Sequence, residues 1–221
     1  MGRRSQHTPE ELRELILSAT FRIVEANGFH ALSAREIARE IGYAPGTLYN
    51  MFQNLDEILM RVEARVLADL ERKLSEAMQA RKDIDALRCF ASQYVQFAYR
   101  SPRLWELIQR HHPEDCKAAP DWYLEQLYAP IARLGPVIGR VHELADPDDA
   151  VRAARLVWSA VHGMVSVATT SKFGALPEAT TLAMVEGLIT QLLLDSSAAK
   201  VIRKEHPRYK NGDARRDRHS D

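Results

Sequence analysis

Cysteine is nearly absent from the 221-residue sequence, which has only Cys89 and Cys116. The two lie far apart with no CxxC or Cys/His spacing, so neither a disulfide framework nor a metal site is expected, and a reducing, cytoplasmic setting fits best. Net charge is absent too. The 30 Lys and Arg are balanced by 30 Asp and Glu, which excludes a uniformly basic nucleic-acid coat and an acidic solvating tail. Glycine and proline, ten each, are too few for a collagen-like or proline-rich chain. Long apolar runs are missing as well. The stretch Leu156 to Ser171 is short and carries Ser, Thr and His, so no membrane partner is expected. Glu10, Glu11, Arg13 and Glu14 occupy the place where a secretory signal would need its apolar segment. There is no GxSxG, no HExxH and no Gly-rich loop after a strand, so the sequence does not read as an enzyme and implies no cofactor. The run His111-His112-Pro113-Glu114-Asp115-Cys116 has metal-ligand residue types, but neighbours on a helix point about 100° apart. A solvated helix end is the expected reading there.

What the sequence does contain is helical periodicity. Leu12, Leu15, Ile16, Ala19 and Ile23 recur at three- and four-residue spacing, predicting a helix from Pro9 to Ala26 that Gly28 ends. Ser33 and Glu36 read as a capping box opening a second helix, which Gly42 closes. Pro45 suits the first position of a third, short helix to Phe52. A fourth runs from Leu55 to Gln79. Further segments are expected over Asp83 to Arg100, Pro102 to His111, Asp121 to Leu144, Pro147 to Thr170 and from Pro177 onward, with Pro130 and Pro136 expected to bend or break the third of these. No strand signal of comparable length competes. The fold class is therefore all-α, about nine helices. Residues 9–55 form a three-helix N-terminal domain, 55–79 a connector, 80–206 a helical C-terminal domain and 207–221 a polar tail.

The second and third helices, joined by a tight turn at Gly42, form a helix-turn-helix. In such a pair the second helix fits a B-DNA major groove while the first crosses the phosphate backbone. Here the reading helix would expose Thr47, Tyr49 and Asn50, whose hydroxyl and amide groups suit phosphate oxygens and base edges. Short helical pairs also occur as packing units, so a helical small-molecule-binding or enzymatic protein remains the alternative at this point.

Residues Ile16 to Leu59, with Asn27-Gly28-Phe29, Ser33-Ala34-Arg35-Glu36-Ile37-Ala38 and Gly42-Tyr43-Ala44-Pro45-Gly46-Thr47-Leu48-Tyr49-Asn50-Met51-Phe52, resemble the N-terminal domain of the TetR/AcrR family of bacterial transcriptional regulators. The resemblance implies a homodimer that binds a palindromic operator in double-stranded DNA, with an effector pocket and a dimerisation bundle in the C-terminal domain. It places Ser33, Thr47 and Tyr49 at phosphate-contacting positions and Pro45, Gly46 and Asn50 near base edges. Arg35, Tyr43 and Ala44, in the same segments, complete the candidate DNA-binding set. The sequence departs from the family pattern at Ala44, often Ser or Thr, at Met51, commonly His or Tyr, and at Leu55, frequently Lys. Trp158, His162 and Gly163 resemble a Trp…His-Gly pattern of one branch of the family.

On that resemblance, Tyr94, Phe97, Trp105, Trp122, Tyr123, Trp158, His162 and Met164 are candidates for an effector pocket, although aromatics at helical spacing also serve a plain core. Val161, Val165, Leu182, Val185, Ile189 and Leu192 are candidates for the dimer interface. The implied activity is that of a repressor released by a small apolar or amphipathic effector, with the fourth helix as lever. Even the DNA-binding part is neutral: residues 1–52 hold Arg3, Arg4, Arg13, Arg22, Arg35 and Arg39 against Glu10, Glu11, Glu14, Glu25, Glu36 and Glu40. Arg3 and Arg4 are candidates for a minor-groove arm.

Overall fold

The computed structural model describes residues 7–79, 81–112, 119–170 and 174–194. The described residues are helical: α1 (Pro9–Asn27), α2 (Ala34–Ile41), α3 (Pro45–Tyr49), α4 (Leu55–Gln79), α5 (Asp83–Arg100), α6 (Pro102–Arg110), α7 (Asp121–Val141), α8 (Pro147–Thr169) and α9 (Glu178–Leu194). No strand occurs among them, and no helix among them is long and apolar enough to cross a membrane. The tail 207–221, Arg3, Arg4, and positions 113–116 of the His/Cys run lie outside the described residues.

Helix boundaries follow local chemistry. A full capping box opens α1: the Thr8 side chain accepts the Glu11 amide, and Glu11 accepts the Thr8 amide. The box expected at Ser33 and Glu36 is only half formed, with Ser33 Oγ accepting the Glu36 amide at 3.2 Å. Gly42 takes φ 73° and ψ 29° at the end of α2, and the Tyr43 amide returns to the Ala38 carbonyl at 2.9 Å. A side chain at that left-handed position would cost about 1–2 kcal/mol, so glycine sets the turn that aims α3.

The third helix is shorter than its sequence predicts, and the seventh is not broken at its prolines. α3 stops at Tyr49 instead of Phe52, with Asn50 as its C-cap and the Met51 and Phe52 amides both bonding to the Leu48 carbonyl. α7 runs through Pro130 and Pro136 as one helix. Each proline removes an amide and crowds the preceding turn, at about 3 kcal/mol. Pro130, Leu134, Gly135, Val137 and Ile138 are buried in this helix, and that burial offsets the local penalty.

Two apolar cores result. The N-terminal core gathers Leu12, Ile16, Ile23, Ile37, Leu48 and Phe52 with Ile58, Leu59, Val62 and Val66 of α4. The C-terminal core gathers Leu70, Leu74 and Met78 of α4 with Leu87, Phe90, Tyr94, Ile138, Val157, Val161 and Ile189. α4 therefore belongs to both. So does α6, which places Leu104 and Leu107 in the first core and Trp105 in the second.

Candidate DNA-reading face and apolar cavity

At one end of the molecule the helix-turn-helix leaves a polar face open. Ser33, Arg35, Ala44, Pro45, Gly46, Tyr49 and Asn50 are exposed, while Tyr43 and Thr47 are half-buried. Leu48 between them is fully buried and anchors α3. Tyr49 is 55% exposed, a large ring presented to solvent in the isolated chain. The Ser33 hydroxyl accepts the Glu36 amide and keeps its proton for donation outward. Tyr43 is held by His7, whose Nδ1 lies 2.6 Å from its hydroxyl. This contact fastens the start of the described chain to the turn before α3.

Charge on this face comes from α2. Arg22 is committed to Glu40 at 3.4 Å, whereas Arg35 and Arg39 are exposed and make no ion pair among the described residues. They are four residues apart and share one side of the helix. Arg39 is counted in the charge of this domain but stands outside the sequence-derived contact set; its spacing from Arg35 is the signal that joins them.

A cavity of about 280 Å³ opens in the C-terminal core. Leu67 and Leu70 of α4, Tyr94 and Phe97 of α5, Trp105, Ile108 and Gln109 of α6, Leu127, Tyr128 and Ile131 of α7, and Trp158 and His162 of α8 line it. Tyr94 packs edge-on to Trp105 at 5.3 Å and lies 4.8 Å from Trp158, while His162 stacks on Trp158 at 6.0 Å between centroids. The Tyr94 hydroxyl is 2.6 Å from His162 Nδ1. Burial pushes the Tyr94 phenol well above its ordinary range and lowers the His162 imidazole, so both are neutral near pH 7.

Five of the aromatic candidates thus meet around one space: Tyr94, Phe97, Trp105, Trp158 and His162. Trp122 and Tyr123 do not line it. Both sit in the first turn of α7, where Trp122 receives the Arg61 guanidinium at 4.9 Å and the Tyr123 hydroxyl donates to Glu63 Oε2. Met164 is half-buried against the C-terminal core and does not line the cavity either. Gln109, Leu127 and Tyr128 carried no sequence signal, because α6 and α7 meet only in the fold.

His111 also departs from expectation. It is buried, with Nδ1 2.5 Å from Glu63 Oε1 and Nε2 3.4 Å from Asp56 Oδ1. Burial works against its charge, but the bonds and charges of Glu63 and Asp56 outweigh that and raise its pKa above the ordinary histidine value. Its neighbour His112 is exposed. No group of three or more His, Cys, Asp or Glu among the described residues could hold a metal ion.

The interface candidates need correction. Val161, Val165, Val185 and Ile189 are at most 2% exposed within the single chain, so they fill its own core and have no surface left for a partner. Leu182 and Leu192 are half-buried against the same core. The outward faces of α8 and α9 instead carry Leu156, Gly163, Val167, Met184 and Gly187, all exposed.

Comparison with known proteins agrees with this architecture. Residues 16–62 match the family described as bacterial regulatory proteins, tetR family, and residues 87–192 match the tetracyclin repressor-like C-terminal domain. Similar solved structures include a protein of unknown function from Rhodococcus sp. RHA1, with TM-score 0.68, 20% identity and coverage of 88% of this chain and 100% of that one. Another is the transcriptional regulator FadR from Bacillus subtilis in complex with stearoyl-CoA, with TM-score 0.62, 17% identity and coverage of 83% and 98%. A third is a tetR-family transcriptional regulator from Streptomyces coelicolor, with TM-score 0.63, 13% identity and coverage of 92% and 89%. With an N-terminal and a C-terminal match in the order the two cores occupy, the chain belongs to the TetR family of bacterial transcriptional regulators.

Proposed function

We propose that this regulator is a homodimeric repressor that holds a palindromic operator until a small apolar or amphipathic effector enters the cavity. The observation that carries the reading is α4, a single helix with Val62 and Val66 in the core beneath the DNA-reading face and Leu67 and Leu70 on the cavity wall. A ligand that favours one setting of α4 changes the separation of the two reading helices in a dimer. That separation must match successive major grooves, ~34–36 Å apart. Ser33, Arg35, Thr47 and Tyr49 would hold phosphates, Pro45 and Gly46 would bring backbone close to the bases, and Asn50 would read a base edge. The FadR neighbour's complex with stearoyl-CoA supports ligand control in proteins of this fold.

For the dimer, the outward faces of α8 and α9 are the proposed surface. Of the six large apolar side chains exposed among the described residues, four (Val151, Leu156, Val167 and Met184) lie on these two helices. Gly163 and Gly187 lie in helix interiors with nothing within 4 Å of an added Cβ. Each costs about 1 kcal/mol of helix propensity relative to Ala, and the close approach of a second copy in a four-helix bundle accounts for both.

Selection of bound duplexes from a random library tests the reading. Enrichment of a two-fold symmetric site is expected. Failure to enrich any symmetric site would favour a helical ligand-binding protein whose helix-turn-helix only packs.

A further inference from the structure

Tyr94, Gln109 and His162 form a polar cluster on the cavity wall, and its hydrogen-bond pattern sets the tautomer of His162. The Tyr94 hydroxyl is buried and approaches His162 Nδ1 at 2.6 Å. It has no other acceptor among the described residues, so O–H donates to Nδ1. Gln109 Nε2 approaches the same Nδ1 at 3.5 Å, while its Oε1 accepts the Ser166 hydroxyl at 3.3 Å. With the Tyr94 O–H as donor, Nδ1 carries no proton. The ring proton is then on Nε2, which makes no hydrogen bond among the described residues.

The walls specify the rest. Phe97, Trp105, Tyr128 and Trp158 present ring faces and edges, which favour a flat aromatic partner in offset or edge-to-face contact. None of the lining residues is Lys, Arg, Asp or Glu. An anion would lose its water with no cation to compensate, and a cation would meet an N–H donor with no carboxylate near. The cavity, about 280 Å³, stands at the small end of ligand pockets.

We propose that the effector is an uncharged, planar aromatic molecule bearing a hydrogen-bond acceptor, a carbonyl or ring nitrogen, that takes the Nε2–H of His162. This rests on the reading of the cavity as the effector site. A hydrocarbon of the same shape leaves that donor unpaired, and a carboxylate of the same shape brings an uncompensated charge.

The test is calorimetric titration of the full-length protein with acetylnaphthalene, ethylnaphthalene and naphthoate of matched substitution, and with stearoyl-CoA. The ketone is expected to bind about tenfold more tightly than the hydrocarbon, with naphthoate and stearoyl-CoA weaker still. His162→Phe keeps a flat ring and should abolish the ketone's advantage while still binding ethylnaphthalene. Tyr94→Phe releases Nδ1 and should reduce the advantage without removing it. Equal binding of ketone and hydrocarbon, or tighter binding of naphthoate, overturns the proposal and leaves the cavity as an effector site. If only stearoyl-CoA binds and releases operator, the ligand class is wrong and the regulatory reading stands. If none of the four binds, both are overturned.

Discussion

His111 at the end of α6 holds Glu63 in the middle of α4 at 2.5 Å, with Glu63 fully buried. The same carboxylate accepts the Tyr123 hydroxyl from α7, and Asp56, in the first turn of α4, lies 3.4 Å from the other nitrogen of His111. Three helices, α4, α6 and α7, are thereby pinned together one turn from the cavity-lining Leu67, Ile108 and Leu127. Among the described residues, the buried ionisable side chains Glu63 and His111 meet at this junction.

Removing one partner should be costly. His111→Gln leaves Glu63 without its cationic partner and is expected to destabilise the protein by about 3 kcal/mol, the range for a broken buried pair. Urea unfolding of the variant against the parent checks this. A loss under about 0.5 kcal/mol would mean that the pair is hydrated and carries no tension between the helices.

The same pair gives stability a pH dependence of known sign. The folded pKa of His111 is raised, so its contribution is fully present below the unfolded histidine value of about 6.5 and is lost as pH rises through the folded pKa. The stability gap between parent and His111→Gln should therefore shrink from pH 6 towards pH 9. For His162 the folded pKa is lowered by burial. Its effect is opposite: the fold loses stability as pH falls below about 6.5, and His162→Phe should remove that loss.

Much of this architecture was legible locally. Leu12, Ile16 and Ile23 on one stripe, Gly42 before Pro45, and the matched segment to Phe52 were enough to place the helix-turn-helix, because caps, turns and periodicity act over a few residues. The failures came where distant segments meet. Nothing near His111 announces Glu63, which is 48 positions away. Val161 and Ile189 show the right helical stripe, but the stripe alone does not say whether it faces its own core or a second copy. Pro130 and Pro136 predict a bend or a break because their cost is local, whereas the packing that keeps α7 unbroken is not.

The dimer surface has its own test. Val167→Glu combined with Gly187→Arg places charge and bulk on the outward faces of α8 and α9 without touching the core, and should yield a folded monomer in sedimentation equilibrium with weakened operator binding. An unchanged dimer would move the interface elsewhere.

Salt dependence should be shallow. Only Arg35 and Arg39 stand free on the described reading face. Four such arginines in a dimer give a log–log slope of about −4. A slope near −9, as for some ten ionic contacts, would show that phosphate charge is met by residues outside this face.

The most direct test of the central claim, that the exposed face of α2 and α3 reads DNA, is the affinity of two variants for the selected operator and for its single-base variants. Tyr49→Ala should weaken binding to every sequence by a similar factor. Asn50→Ala should flatten the preference at one position per half-site, removing about 1–3 kcal/mol of discrimination there. Equal effects of the two substitutions on every sequence, or no effect of either, would contradict the account.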